Sequence, residues 1–278
     1  MISPSGLLLK GPGIVIPVFF LSLLHATTAG QVLCHGAGSA AQGGAFVCLQ
    51  DPMCVVQNQA GLGFLEQSSV SIQHARPFLL KDLGISSLSG QFRTGKGALG
   101  IAASTLGLKG LSQSSLWLAC GLRFHPHISA GVGLHLWSTS TRDQFFHAPG
   151  LGFTLGLQVK FRKTWMLGAR LSHPFAWSRH PFAFQNTMGL QCGFARSIFN
   201  VGQLYAQVQV QPGDPIILCS GARWKLNRQI AFRAGIQSGP PCFTWGIQLR
   251  FRKCLLELSG MYRSDTGLSP ISALSYEW

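Results

Sequence analysis

Hydrophobic and polar residues alternate along most of the chain after residue 66. Apolar side chains occupy every second position in residues 151–161, and residues 203–210 and 243–252 repeat the pattern. A two-residue period indicates β-strands, because successive side chains of a strand point to opposite faces. No segment in this part of the chain has a convincing 3.6-residue period, so the pattern predicts an all-β fold.

The lengths of these segments distinguish a soluble sheet from a membrane barrel. They run about nine to eleven residues, which a tilted strand needs to cross a bilayer, whereas soluble strands average about five or six. Tight turns alternate with longer loops, as in outer-membrane barrels. We therefore predict a transmembrane antiparallel β-barrel of fourteen strands, near residues 68–75, 86–93, 97–107, 113–124, 128–138, 151–161, 164–173, 187–196, 201–211, 215–225, 230–237, 242–252, 254–263 and 270–278.

The first 29 residues have the order of a secretory signal peptide. Lys10 is followed by the apolar run 14–24 and by small residues that suit cleavage near Ala29. The alternative is a membrane anchor, but the run is shorter than the roughly 20 apolar residues of a spanning helix. The expected organisation is a signal peptide at 1–29, an N-terminal segment at 30–66 and the barrel at 67–278, exported to the outer membrane of a diderm bacterium.

The charge balance restricts the partners. Lys and Arg number 22 against 8 acidic residues, a formal net charge of +14, which attracts anionic lipids, acidic proteins or nucleic acid. Because Lys and Arg form no clustered run and no zinc-finger spacing occurs, nucleic acid is disfavoured, and outer-membrane lipids are the expected partners. The eight cysteines stand mostly among apolar residues, which predicts free thiols, with a bridge among Cys34, Cys48 and Cys54 as the alternative.

Catalytic and metal-binding patterns are missing from the sequence. The eight acidic residues are scattered without a close pair, and no GxSxG motif occurs. The histidines of His125-Pro126-His127 lie in a predicted turn with no third ligand in view, so no metal site is expected. We predict that the protein is not an enzyme and needs no cofactor.

Basic residues fall on the predicted inward faces of the later strands. Four of them, Arg170, Arg223, Arg233 and Arg250, are the candidate ligand-binding residues of the lumen, and a solvated rim is the alternative. Such a lumen suits an anionic group. The same alternation assigns further residues to the inward face: Lys160, Arg162, Lys225, Arg252, Arg263 and the acidic Glu257.

The stretch before the first strand resembles the outer-membrane fatty-acid transporter (FadL) superfamily, which includes the PorV-like and PorQ-like fourteen-stranded barrels of type IX secretion. Members show a Gly-Gly-Ala-Phe, an acidic-Pro step and an Asn-Pro-Ala-Gly-Leu, although Gln59 stands here where the family has Pro. The matching positions are Gly43, Gly44, Asp51, Pro52, Asn58, Ala60, Gly61 and Leu62. The resemblance implies that residues 30–66 fold into the lumen as a hatch; a flexible periplasmic leader is the alternative.

Two functions follow from the resemblance. The first is passive transport of a hydrophobic or amphipathic small molecule across the outer membrane. The second is a membrane component of type IX secretion that binds partner proteins, and a purely structural porin-like protein is a third alternative. The chain ends in Trp278 on a strand, which resembles the signal by which outer-membrane assembly machinery recognises barrels.

Overall fold

The computed structural model describes residues 36–108, 111–141, 147–162, 164–178, 188–199 and 201–278. Its strands form one closed antiparallel barrel in which each strand pairs with its neighbours in sequence and the last pairs with the first. The prediction of a fourteen-stranded antiparallel barrel is therefore confirmed. The predicted signal peptide lies outside the described residues.

The strands are longer than the average strand of a soluble sheet. In chain order they are β1 Ser69–Ala75, β2 Gly84–Thr94, β3 Gly97–Leu108, β4 Leu111–His125, β5 Ile128–Thr141, β6 His147–Phe161, β7 Trp165–Ser178, β8 Gly189–Ile198, β9 Gly202–Val210, β10 Ile217–Lys225, β11 Ile230–Ser238, β12 Pro241–Phe251, β13 Cys254–Arg263 and β14 Gly267–Glu277. The barrel closes where β1 meets β14, from Ser69 opposite Glu277 to Ala75 opposite Ile271.

The two faces of the barrel wall differ in chemistry. Large apolar side chains such as Val132, Leu155 and Phe243 are exposed on the outside. The alternate positions point inward and carry mostly small or polar residues, among them Ser89 and Gln158. An apolar exterior on every strand is what hydrocarbon requires, and closure pairs the backbone groups that an open sheet edge would leave exposed.

The two ends of the barrel differ in their connections. At the end that also holds Trp278, two residues join β2 to β3, β4 to β5 and β12 to β13, and three join β6 to β7. The opposite end has a two-residue connection between β11 and β12 but also the longer ones at 76–83 and 211–216. Short turns mark the periplasmic end of such barrels. The assignment of Arg252 to the inward face of a strand was wrong, and Arg162, although it borders the lumen, does not belong to a strand. The strands end at Phe161 and Phe251, so both arginines occupy turns, where their φ angles of 55° and 52° break the alternation.

Residues 36–66 lie inside the barrel and contain little regular structure. A four-residue helix, α1, spans Ala37–Ala40, and a 3-10 helix spans Gln59–Phe64. Residues 36–49 and 52–64 are all buried. We keep the name hatch for this segment. No helix in the described part of the chain is long and apolar enough to cross a membrane.

Candidate functional site: the hatch and the cavity beside it

Glycines allow the hatch backbone to lie directly on the barrel wall. A Cβ on Gly235 of β11 would overlap the backbone nitrogen of Gly43, and one on Gly131 of β5 would overlap the backbone of Gln59. Gly43 has a φ of 67°, a left-handed conformation that glycine adopts without strain. No side chain separates hatch and wall at these points.

Glutamine side chains of the wall supply the hydrogen bonds that the irregular hatch backbone lacks. Gln207 Oε1 accepts from the backbone N–H groups of Phe46 and Val47 at 2.8 and 2.9 Å. Gln158 Nε2 donates to the carbonyls of Val47 and Leu49 at 2.8 and 3.1 Å. Buried backbone groups need partners, so these glutamines determine where the hatch is seated.

Asn58 anchors the second half of the hatch. Its side chain accepts a hydrogen bond from the backbone N–H of Ala60 and so caps the 3-10 helix. Its Nδ2 donates to the carbonyl of Val47 at 2.7 Å, and the wall carbonyl of Ala169 lies at 3.3 Å. The turn after Asn58 therefore forms with Gln59 in place of proline, because the Asn58 side chain binds both the N–H of Ala60 and the carbonyl of Val47.

A cavity of about 490 Å³ lies between the hatch and the end of the barrel with the tight turns. Its lining includes hatch residue Asp51 and the turn residues His127 and Thr164. The wall contributes three of the four predicted lumenal arginines, together with groups that hold them. We call Arg223, Arg233, Arg250, Gln248, Glu257 and Glu277 the arginine cluster.

The arginine cluster contains more donors than acceptors. Arg223 and Arg233 are directly opposite each other in the pairing of β10 with β11, and both donate to Gln248 Oε1, at 2.7 and 3.0 Å. Arg233 also forms a buried ion pair with Glu257, at 2.8 Å. Arg223 Nε and two nitrogens of Arg233 are buried without a hydrogen-bond partner. Like charges placed opposite each other repel, and an anionic group in the cavity would offset that repulsion.

Arg170, the fourth predicted residue, lies apart from the arginine cluster. It is buried in β7, and its guanidinium lies 5.5 Å from the centre of the Phe46 ring in the hatch. Lys160 makes a similar contact from β6, since its Nζ lies 4.0 Å from the centre of the Phe64 ring. Cation–π contacts of this kind stabilise the packing of two hatch aromatics against the wall.

Asp51 is the acidic residue of the hatch that faces the arginine cluster. Its Oδ1 accepts a hydrogen bond from the backbone N–H of Met53 at 2.9 Å. Burial, together with the negative charge of Glu257, raises the pKa of Asp51 from 3.8 to about 6, against the opposing effect of Arg233 and of the Met53 hydrogen bond. Burial also raises the pKa of the hatch thiol Cys48 to about 12.

The raised pKa of Asp51 predicts a pH dependence of hatch stability. Asp51 disfavours the folded state when it is charged. The stability associated with the neutral carboxyl of Asp51 is therefore fully present below about pH 4 and is lost as the pH rises through about 6. We expect Asp51→Asn, which is neutral at every pH, to stabilise the hatch on the order of 3 kcal/mol at pH 8 and to leave it unchanged at pH 4. Hydrogen exchange of the hatch amides at both pH values measures this effect.

Asp214→Asn is the matched control for this prediction, since Asp214 lies exposed in the connection between β9 and β10. An equal gain in protection at pH 4 and pH 8 for Asp51→Asn would contradict the titration of Asp51.

An aromatic and imidazole cluster lines the lumen on the other side of the hatch, and the sequence reading did not predict it. The rings of Trp117 and His135 stack with their centres 4.4 Å apart, and His135 Nδ1 lies 3.2 Å from His173 Nε2. Trp137 contacts both histidines. Part of this cluster was predictable, because His135 and Trp137 both occupy inward-facing positions of β5. His173 reaches the cluster through a bulge in the pairing of β6 with β7, where its φ is 51°, and nothing in the sequence indicates this bulge.

The seven cysteines in the described ranges, which include Cys48 and Cys54, are free thiols. Cys34 lies outside those ranges. Nor do three or more His, Cys, Asp or Glu side chains gather into a metal-binding group anywhere in the residues that the structure describes.

The fold is similar to that of several solved outer-membrane transporters. The toluene transporter TbuX of Ralstonia pickettii is 13% identical, with a TM-score of 0.67 over 87% of this chain and 98% of that one. The toluene transporter TodX of P. putida is 12% identical, with a TM-score of 0.64 over 89% and 99%. A Pseudomonas aeruginosa FadL homologue is 11% identical, with a TM-score of 0.61 over 87% and 98%.

At these identities the likeness shows the fold alone, a closed fourteen-stranded antiparallel barrel. No family model matches the sequence, and no curated protein matches it.

Proposed function

We propose that this protein is an outer-membrane β-barrel for passive transport of a hydrophobic or amphipathic small molecule. One observation carries the proposal: an N-terminal hatch fills a closed barrel and leaves a cavity of about 490 Å³ on its periplasmic side. The fold likeness supports it, since the neighbours named above include two toluene transporters. No observation on the described residues favours the secretion alternative.

The lining of the lumen suggests how such a solute is handled. Trp117 and Trp137 offer apolar contact on the extracellular side of the hatch. Arg223 and Arg250 line the cavity on the other side, where an apolar molecule gains little and a carboxylate gains charge-assisted hydrogen bonds. We infer that an amphipathic acid is held more strongly in this cavity than a hydrocarbon of the same size. The proposed location is the outer membrane, reached by way of the signal peptide.

Uptake by cells with an intact outer membrane tests the function. We expect the protein to raise the initial uptake rates of radiolabelled toluene and octanoate above those of cells without it. Arg223→Gln is expected to lower octanoate uptake severalfold and to leave toluene uptake unchanged, because only the carboxylate uses the guanidinium.

Arg196→Gln provides the matched control, since it makes the same chemical change on the outer face of β8. Uptake of both solutes at the background rate would contradict passive transport. Equal losses of octanoate and toluene uptake in Arg223→Gln would contradict the role of the arginine cluster and leave transport in place.

A further inference from the structure

Exposed charge is distributed unequally between the two ends of the barrel. At the periplasmic end, the exposed Arg93, Arg123 and Lys225 have inward parity, and Glu66 is an exposed acidic residue. Six further exposed cations lie in or beside the turns: Lys96, Arg162, Arg196, Arg228, Arg252 and Lys253. We call them the basic ring. Within the described ranges, the exposed charged residues of the opposite end are Arg76 and Lys81 against Asp82, Asp214 and Asp265. The excess of positive charge is therefore concentrated at one end.

Two of these cations occupy backbone positions that disfavour them. Arg162 and Arg252 are each the first residue after a strand, in the turns from β6 to β7 and from β12 to β13, with φ angles of 55° and 52°. Left-handed φ angles favour glycine or asparagine and cost a residue with a long side chain about 1 kcal/mol. The same sequence, Phe-Arg-Lys, stands at both turns. Phe199, the first residue after β8, has a φ of 47° in the equivalent position, so the turn itself sets this conformation.

Aromatic side chains show the depth of the basic ring in the membrane. Phe161, Trp224 and Phe251 point outward at the ends of β6, β10 and β12 and are more than half exposed, at 56%, 51% and 58%. Aromatic rings in this position mark the level of the lipid headgroups. The Arg196 guanidinium lies 4.9 Å from the centre of the Trp165 ring, and that of Arg162 lies 5.5 Å from the centre of Phe161. The basic ring therefore lies at headgroup level.

We propose that the basic ring binds the headgroups of anionic phospholipids in the periplasmic leaflet. Its cations are distributed along the rim from β2 to β13 and stand beside lipid-facing aromatics, an arrangement that fits a shell of lipids better than one protein docked on a single patch. A cation near an anionic membrane surface is attracted to it. The inference depends on the membrane-spanning barrel and not on the transport function.

The test is native mass spectrometry of the full chain in nanodiscs of an equimolar mixture of phosphatidylglycerol and phosphatidylcholine. We expect phosphatidylglycerol to be enriched among the lipids retained by the wild type. The double variant R252N/K253Q removes two charges, and asparagine relieves the turn since it tolerates a positive φ. We expect its preference for phosphatidylglycerol to fall about tenfold or more.

The double variant R76N/K81Q is the matched control, because it removes two exposed cations from the opposite end. We expect it to retain the wild-type preference. Equal retention of both lipids by the wild type would overturn the proposal and would favour an acidic protein as the partner of the ring. An undiminished preference in R252N/K253Q would also overturn it, because phosphatidylglycerol would then bind elsewhere on the barrel. Octanoate and toluene uptake, measured in parallel, reports on the transport function separately.

Discussion

Replacing Gly235 with valine is expected to displace the hatch and convert the barrel into a conducting pore. The new side chain would occupy the position of the Gly43 backbone nitrogen and would also meet the carbonyl oxygen of Ser220, 2.8 Å from a Cβ at this site. Overpacking of this kind costs about 1–3 kcal/mol. Each ~1.4 kcal/mol raises the ratio of displaced to seated hatch about tenfold. The atoms that the new side chain meets belong to the backbone, so no flexible side chain can move aside to relieve the clash.

Conductance in planar bilayers measures the open fraction, and alkylation of Cys54 measures exposure of the hatch, in which this thiol is buried. We expect both to increase in Gly235→Val. Gly107→Val is the matched control, because a Cβ at Gly107 meets nothing within 4 Å. A closed, unlabelled Gly235→Val barrel would show that the contact between Gly43 and Gly235 does not hold the hatch in place.

Gln207→Leu is expected to loosen the central part of the hatch without changing the volume of the wall residue substantially. The substitution removes the Oε1 atom that accepts from the Phe46 and Val47 N–H groups. Each buried donor left without a partner costs about 1–3 kcal/mol. We therefore expect hydrogen exchange at these two amides to accelerate about tenfold to a hundredfold or more, while the amides of β9 keep their protection.

Gln237→Leu changes the same residue type at a buried wall position whose Nε2 bonds to Gly239 of its own connection rather than to the hatch. It is expected to leave Phe46 and Val47 protected. Slow exchange of both amides in Gln207→Leu would mean that other contacts seat the hatch.

The strands were predictable from the sequence because a single physical constraint acts on all of them. Hydrocarbon accepts only apolar side chains outside, so the two-residue period recurs in separate strands, as in residues 151–161 and 243–251. The alternation fails just after the last residue of a strand, as Arg252 shows. Continuing the alternation past Phe251 placed Arg252 on the inward face, but the left-handed turn that follows Phe251 cannot be read from a period.

The grouping of residues in the lumen was less predictable. Parity places Arg170 and Arg223 on the inward face, yet their separation depends on the stagger of strands around the barrel, which no single strand reveals. The role of Gln207 was also hidden. An inward glutamine in the run 203–209 looks the same whether it faces water or accepts two hydrogen bonds from a segment 160 residues earlier in the chain.

The contacts of the hatch also order the events of assembly. Gly43 donates to Thr244 Oγ1 in β12, 201 residues further along the chain, while Ser129 of β5 donates to the carbonyl of Ala60. Contacts of such high sequence separation form slowly, because the intervening chain must be ordered first. The hatch is made before the strands that hold it: the Ala60 contact needs only β5, whereas the Gly43 hydrogen bond cannot form until β12 is in place.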